Sequence, residues 1–84
     1  MKILKFYSNS CGPCKVMSKE LAKLKDIEIV DYDATDENNV EILDKYKVLS
    51  IPTIIVVDDK GDTINRFGGI VPIEKIKEVI NETH

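Results

Sequence analysis

The run Cys11-Gly12-Pro13-Cys14 stands between an apolar, strand-like stretch, Ile3-Leu4-Lys5-Phe6-Tyr7, and a helix-like stretch that opens at Lys15. These are the only two cysteines of the chain. Two residues between thiols let one helical turn bring the sulfurs within bonding distance. A thiol at a strand-to-helix junction faces the unpaired N–H groups and the positive end of the helix. Those groups favour the thiolate, which is the attacking species in disulfide exchange. Redox chemistry is the leading reading. Half of a zinc site and a pair of inert thiols are the alternatives. A structural zinc site needs about four protein ligands, and His84 is the one histidine.

Working outward, residues 2–7 read as a strand ended by Ser8-Asn9-Ser10. Residues 12–25 read as a helix. Pro13 suits its first turn, where a missing N–H breaks no bond, and Cys14, Met17, Leu21 and Leu24 form an inner stripe at helical spacing. Residues 27–32 return to a strand pattern. Thr35 or Asp36 can cap a second helix, with Val40, Leu43 and Tyr46 on its buried face. Ile51-Pro52-Thr53 leads into Ile54-Ile55-Val56-Val57, a branched run that reads as a strand covered on both faces. The turn Asp58-Asp59-Lys60-Gly61-Asp62 and residues 63–67 complete a β-hairpin. After Gly68-Gly69, Pro72 opens a last helix with Ile73, Ile76, Val79 and Ile80 on one side. The order β-α-β-α-β-β-α predicts an α/β fold. Its four-stranded mixed sheet, flanked by three helices, pairs the first two strands in parallel and places the hairpin as an antiparallel edge.

The totals agree with one small domain over residues 1–84. Hydrophobic residues make up 43% of the chain and charged residues 32%, enough for a core and inconsistent with disorder. A net charge of −3 and the lack of a Lys/Arg cluster interleaved with aromatics argue against nucleic acid. No apolar run approaches the roughly 20 residues of a membrane span. Lys5 interrupts the apolar N-terminus, which reads as a first strand rather than a signal peptide; a cytoplasmic location is the expectation. Asn81-Glu82-Thr83 matches a glycosylation sequon and reads as a chance match.

With Cys11-Gly12-Pro13-Cys14, this element order, Ile51-Pro52-Thr53 and Gly68-Gly69 in place, the chain resembles the thioredoxin superfamily along nearly its whole length. Its length is nearer that of glutaredoxins and of short thioredoxin-like proteins. The resemblance implies a thioredoxin-like fold and thiol–disulfide exchange, with Cys11 as nucleophile, Cys14 as resolving thiol and no organic cofactor or metal. Gly12 and Pro13 form the active-site loop, in which Gly12 lets the chain turn and a substrate approach. The pair accompanies strongly reducing members, so a potential near the thioredoxin value of about −270 mV is expected. Pro52 corresponds to the family's cis-proline. Ile51, Pro52, Thr53, Gly68 and Gly69 are the implied substrate-binding residues, with the Ile51 backbone offered to an extended segment by strand addition. The implied partners are protein disulfides, with electrons from a thioredoxin reductase-like enzyme or glutathione.

Several positions depart from the family. Ser10 stands where thioredoxins have a Trp, and Pro72 stands where glutaredoxins carry an Asp after their glycine pair. The family's buried Asp, which relays a proton near the second cysteine, is here Lys5, and the buried Lys of its next strand is matched by Ile29. Two readings of Lys5 follow: a stem packed at the strand with its amine in water, or a charge near the sulfurs that lowers a thiol pKa. Lys15 offers a weaker form of the same effect. Tyr7 reads as core packing near the site. Asp58, Asp59 and Asp62 read as a solvated hairpin tip.

Overall fold

A computed structural model describes residues 1–82; Thr83 of the sequon and His84 lie outside the described residues. The chain runs β1 (Lys2–Tyr7), α1 (Gly12–Leu21), β2 (Glu28–Asp33), a 3₁₀ turn (Glu37–Asn39) continuing into α2 (Val40–Lys45), β3 (Thr53–Val57), β4 (Thr63–Gly68) and α3 (Ile73–Glu82). The sheet order is β2-β1-β3-β4. β1 and β2 are parallel, β3 is antiparallel to β1, and β4 is antiparallel to β3. This is the expected mixed α/β sheet, with a register shift at Val56/Val57 in the hairpin.

Alternation along β1 divides the core. Ile3 faces Met17, Leu21, Ile54, Val56, Ile73 and Ile76, the layer of α1 and α3. Leu4 and Phe6 face Ile55 and Val57, covered by Ile42, Leu43 and Tyr46 of the α2 segment. All five residues of β3 are buried, as a strand covered on both faces requires.

Two local expectations need correction. α1 ends at Leu21 rather than Lys25, because the chain tightens into i→i+3 bonds (Lys23 N–H to Glu20 C=O, 3.1 Å; Leu24 N–H to Leu21 C=O, 3.0 Å). Asp26, at φ 63°, then turns the chain toward β2, a left-handed position that Asp tolerates better than most residues. Val40 is 58% exposed; it opens a helix of only six residues, and Ile42 takes the inward place beside Leu43 and Tyr46. Asp36 is the cap, its carboxylate accepting from Asn38 N–H at 2.9 Å. At the hairpin tip, Asp58 accepts from the N–H groups of Lys60 and Asp62, so its carboxylate closes the turn.

The last helix is tied to the first. Glu20 on α1 accepts from Ile73 N–H at 3.1 Å and from Lys23 Nζ at 2.7 Å. The Lys23 contact and then the Ile73 N–H hold the Glu20 carboxyl below its usual 4.5. A carboxylate favoured in the fold adds stability above the unfolded value, and this is lost as pH falls through the folded one. Glu20→Gln is therefore expected to lower the urea midpoint modestly at neutral pH. The gap to the parent should close as pH falls below 4.5. Paired urea titrations across that range check it; a gap that stays constant with pH defeats it.

Candidate active site

The C-terminal end of β1, the N-terminal end of β3 and the C-terminal end of β4 meet at one edge of the sheet, because Phe6 pairs with Thr53 and Thr53 with Gly68. Three loops leave from there: Ser8–Cys11, Ser50–Pro52 and Gly69–Pro72. They are laced together. Cys11 N–H donates to Ser8 C=O (3.3 Å), and Gly69 N–H to Pro52 C=O (3.0 Å). Thr53 Oγ1 donates to Ser50 C=O (2.7 Å) and Val71 N–H to Met17 Sδ (3.3 Å).

Cys11 is the N-cap of α1 and joins Cys14 in a disulfide with Cα atoms 5.2 Å apart. Its extended backbone (φ −97°, ψ 109°) leaves the sulfur as the capping acceptor, and Cys14 N–H donates to Cys11 Sγ at 3.1 Å. A cap is normally an oxygen; here a sulfur takes that place, where backbone N–H groups favour a negative charge. No acidic residue in the first turn of α1 opposes it. Cys14 is 2% exposed, whereas Cys11 is partly open. An outside group therefore reaches Cys11 first, and Cys14 is placed to attack from within.

Gly12 and Pro13 are exposed. A Cβ on Gly12 would meet nothing within 4 Å, and its φ is not left-handed, so the turn itself does not require glycine there. Gly69 does require it, with φ +74°. The Ile51–Pro52 bond is cis. Thr53 is buried and its hydroxyl is spent on Ser50, so its side chain shapes the loop. Leu49 is 95% exposed and Ile70 57% exposed, which adds two apolar side chains in the loops beside Ile51 and Gly69.

The Lys5 amine does not reach out into water, the first of its two readings, but is bonded inside the fold. Its Nζ lies 2.6 Å from Ser18 Oγ on α1 and 3.0 Å from Asp31 Oδ1 on β2, with the Tyr7 ring centroid at 5.4 Å. The residue on β2 that faces Lys5 is Asp31, directly opposite in register; Ile29 pairs with Ile3 instead. Ser18 and Asp31 were not singled out in the sequence. Ser18 carried a signal, being four residues after Cys14 on the same helical face. Asp31 emerges only from the register.

Away from this edge, a groove of about 510 Å³ lies where β1 begins, lined by Met1, Leu24, Ile27 and Ile80. It does not include either cysteine. Among the described residues no helix is long and apolar enough to cross a membrane.

Comparison with known proteins agrees with this geometry. The family model of the thioredoxin-like domain matches residues 2–84. The chain is 37% identical over 82 residues to a thioredoxin of Bacillus subtilis, covering 92% of this chain and 76% of the relative. It is 30% identical to the SPbeta prophage-derived thioredoxin-like protein YosR of the same species, covering 98% of each. The structure of thioredoxin 1 from Thermosipho africanus superposes with a TM-score of 0.79 at 29% identity, covering 99% of this chain and 93% of that one. With a dithiol–disulfide couple at the start of α1, a buried second sulfur and these relatives, the chain is a thiol–disulfide oxidoreductase that belongs to the thioredoxin-like family.

Proposed function

We propose that the protein reduces disulfides of other proteins in the cytoplasm. The observation that carries this reading is the asymmetry of the pair: Cys11 partly open with its sulfur accepting the Cys14 N–H, Cys14 buried one turn on. Cys11 thiolate attacks one sulfur of a substrate disulfide, and the other substrate sulfur leaves with the electron pair and takes up a proton. Cys14 thiolate then attacks Cys11 Sγ, breaking the mixed disulfide and releasing the second substrate thiol. Two electrons and two protons pass to the substrate, and the Cys11–Cys14 disulfide remains. A reductase must return the two electrons.

The Ile51, Pro52 and Gly68-Gly69 backbone, with exposed Leu49 and Ile70, supports an extended peptide as substrate. An apolar surface beside the Ile51 backbone suits strand addition. A reducing role fits a compartment that keeps thiols reduced. The donor we favour is a thioredoxin reductase-like enzyme, with glutathione as the second reading because of the glycine pair.

Insulin-disulfide reduction, run in parallel with thioredoxin reductase plus NADPH and with glutathione plus its reductase, tests activity and donor together. Turnover with the first system is expected. Turnover with glutathione alone would assign the donor to the second class. Activity toward a natural partner that survived replacement of both cysteines by serine would convert the reading to a binding module. A redox titration should place the couple near the thioredoxin value; a potential above about −180 mV would mark an oxidant instead.

A further inference from the structure

Lys5 stands in the middle of β1 between Ile3 and Tyr7 on the α1 side of the sheet, and it is 9% exposed. A buried ammonium is costly unless its donors are used. Here one goes to Ser18 Oγ and one to Asp31 Oδ1. An ammonium only donates, so Ser18 Oγ must accept from it. The single Ser18 proton is thereby left to point elsewhere, and it goes to Cys14 C=O at 3.1 Å. A polarised chain thus runs from Lys5 through Ser18 to the backbone carbonyl of Cys14, which brings the Lys5 charge under the turn of α1 that carries the second sulfur.

The charges of the ion pair are unequally placed. The Asp31 side chain is 53% exposed and that of Lys5 11%. Water screens the anion, while the cation faces the interior under α1. No carboxylate occupies the Lys5 position to take a proton from Cys14, and an ammonium cannot do so. What an ammonium can do is stabilise a thiolate once the proton has gone to solvent.

We propose that Lys5, acting through Ser18, is a positioning residue that keeps Cys14 ready as a thiolate for the resolving step. This rests on the disulfide-exchange reading above. Before that step Cys14 gives its proton to water. Its sulfur then bonds to Cys11 Sγ, the bond from Cys11 to the substrate sulfur breaks, and the substrate leaves with the electron pair. Lys5 and Ser18 neither gain nor lose a proton.

The other groups facing this site are few. β1 itself contributes Tyr7, and β2 contributes Asp31 and Asp33, the latter opposite Tyr7 and bonded to Thr35. β3 places Ile54 opposite Lys5. α1 supplies the two cysteines, Met17 and Ser18, and α3 packs on this face through Ile73, Ile76, Val79 and Ile80.

NMR titration of the two cysteine Cβ shifts in the reduced protein reads each thiol separately and needs no substrate. Lys5→Met is expected to raise the Cys14 midpoint by about one unit, and Lys5→Arg to restore it. Ser18→Ala should move it upward, whereas Asp31→Asn, which unmasks the cation, should move it downward. Resolution of a preformed mixed disulfide should slow in Lys5→Met at neutral pH, by about tenfold, and recover in alkali. If Lys5→Met does not fold, the opposite shifts of Ser18→Ala and Asp31→Asn carry the test. An unmoved Cys14 midpoint in Lys5→Met or Ser18→Ala, or an upward move in Asp31→Asn, overturns the proposal. So does a Cys11 midpoint that moves as far as that of Cys14, which would mean a diffuse field. An unshifted Cys14 in a protein that still reduces insulin defeats this proposal alone. A shifted Cys14 in a protein that never reduces insulin defeats only the reductase reading.

Discussion

Replacing Cys14 with alanine is expected to convert a turning-over catalyst into a trap. Cys11 keeps its place as N-cap and can still attack, so one mixed disulfide forms per chain. Nothing remains to release it, and insulin reduction falls to the uncatalysed rate. Cys11→Ser is expected to lose the reaction at its first step instead. Serine is a favoured N-cap, and its oxygen can take the Cys14 N–H that the sulfur accepts now; α1 therefore keeps its start, and the loss is chemical rather than structural. The remaining Cys14, 2% exposed, should form little adduct with a protein substrate. Non-reducing electrophoresis and intact mass after incubation with a disulfide-containing protein distinguish the two. An adduct on Cys11→Ser equal to that on Cys14→Ala would reverse the roles of the thiols. Parental turnover in Cys14→Ala would remove the need for a resolving cysteine. The comparison should be made with the reduced parent, since neither variant can close the Cys11–Cys14 bridge and its effect on the unfolded chain.

The contrast between what could and could not be anticipated follows the range of the interactions involved. The Cys11–Cys14 run, the strand ahead of it and Pro13 in the first turn are local, and local chemistry decides them. The same holds for the branched run of residues 54–57 within β3, whose continuous apolar character already implies two covering layers. Val40 shows where periodicity fails. A six-residue helix is too short for spacing alone to say which side turns inward, and Ile42 competes for the same place. The end of α1 was out of reach for a related reason: Lys23 and Leu24 continue the helical pattern, yet the backbone switches to i→i+3 bonds before Asp26 turns it. At the site, the cysteines were readable as a pair, but the surroundings of Lys5 were not. Its neighbour on β2 is set by register, and a shift of two residues along that strand exchanges Ile29 for Asp31. That choice decides whether the ammonium meets a hydrocarbon or a carboxylate.

Phe6→Ala is expected to produce the largest loss of stability. Phe6 is 0% exposed and lies between Tyr32 of β2 and Thr53 of β3 in register. Its ring stacks on Tyr32 with centroids 5.3 Å apart and leans against Tyr46 at 6.4 Å. Truncation removes a large side chain from the smaller of the two core layers, in which the other fully buried residues are Leu4, Ile55 and Val57. Burial and cavity effects together put the cost at about 3–5 kcal/mol. For a domain of this size each kcal/mol is worth roughly 4–8 °C, so a fall of about 12–40 °C in melting temperature follows. The total stability of small domains is itself only about 5–15 kcal/mol, so the variant sits near the edge of folding. The site should feel the change, because Tyr7 C=O, next along β1, holds Ala34 N–H at 2.7 Å and Thr53 anchors the proline loop. Phe6→Leu, which keeps most of the volume, should lose far less. Thermal melts of the three proteins in the oxidised state check this. A drop under about 5 °C for Phe6→Ala would mean that the α2 layer contributes little, and that the sheet is held by its α1 and α3 face alone.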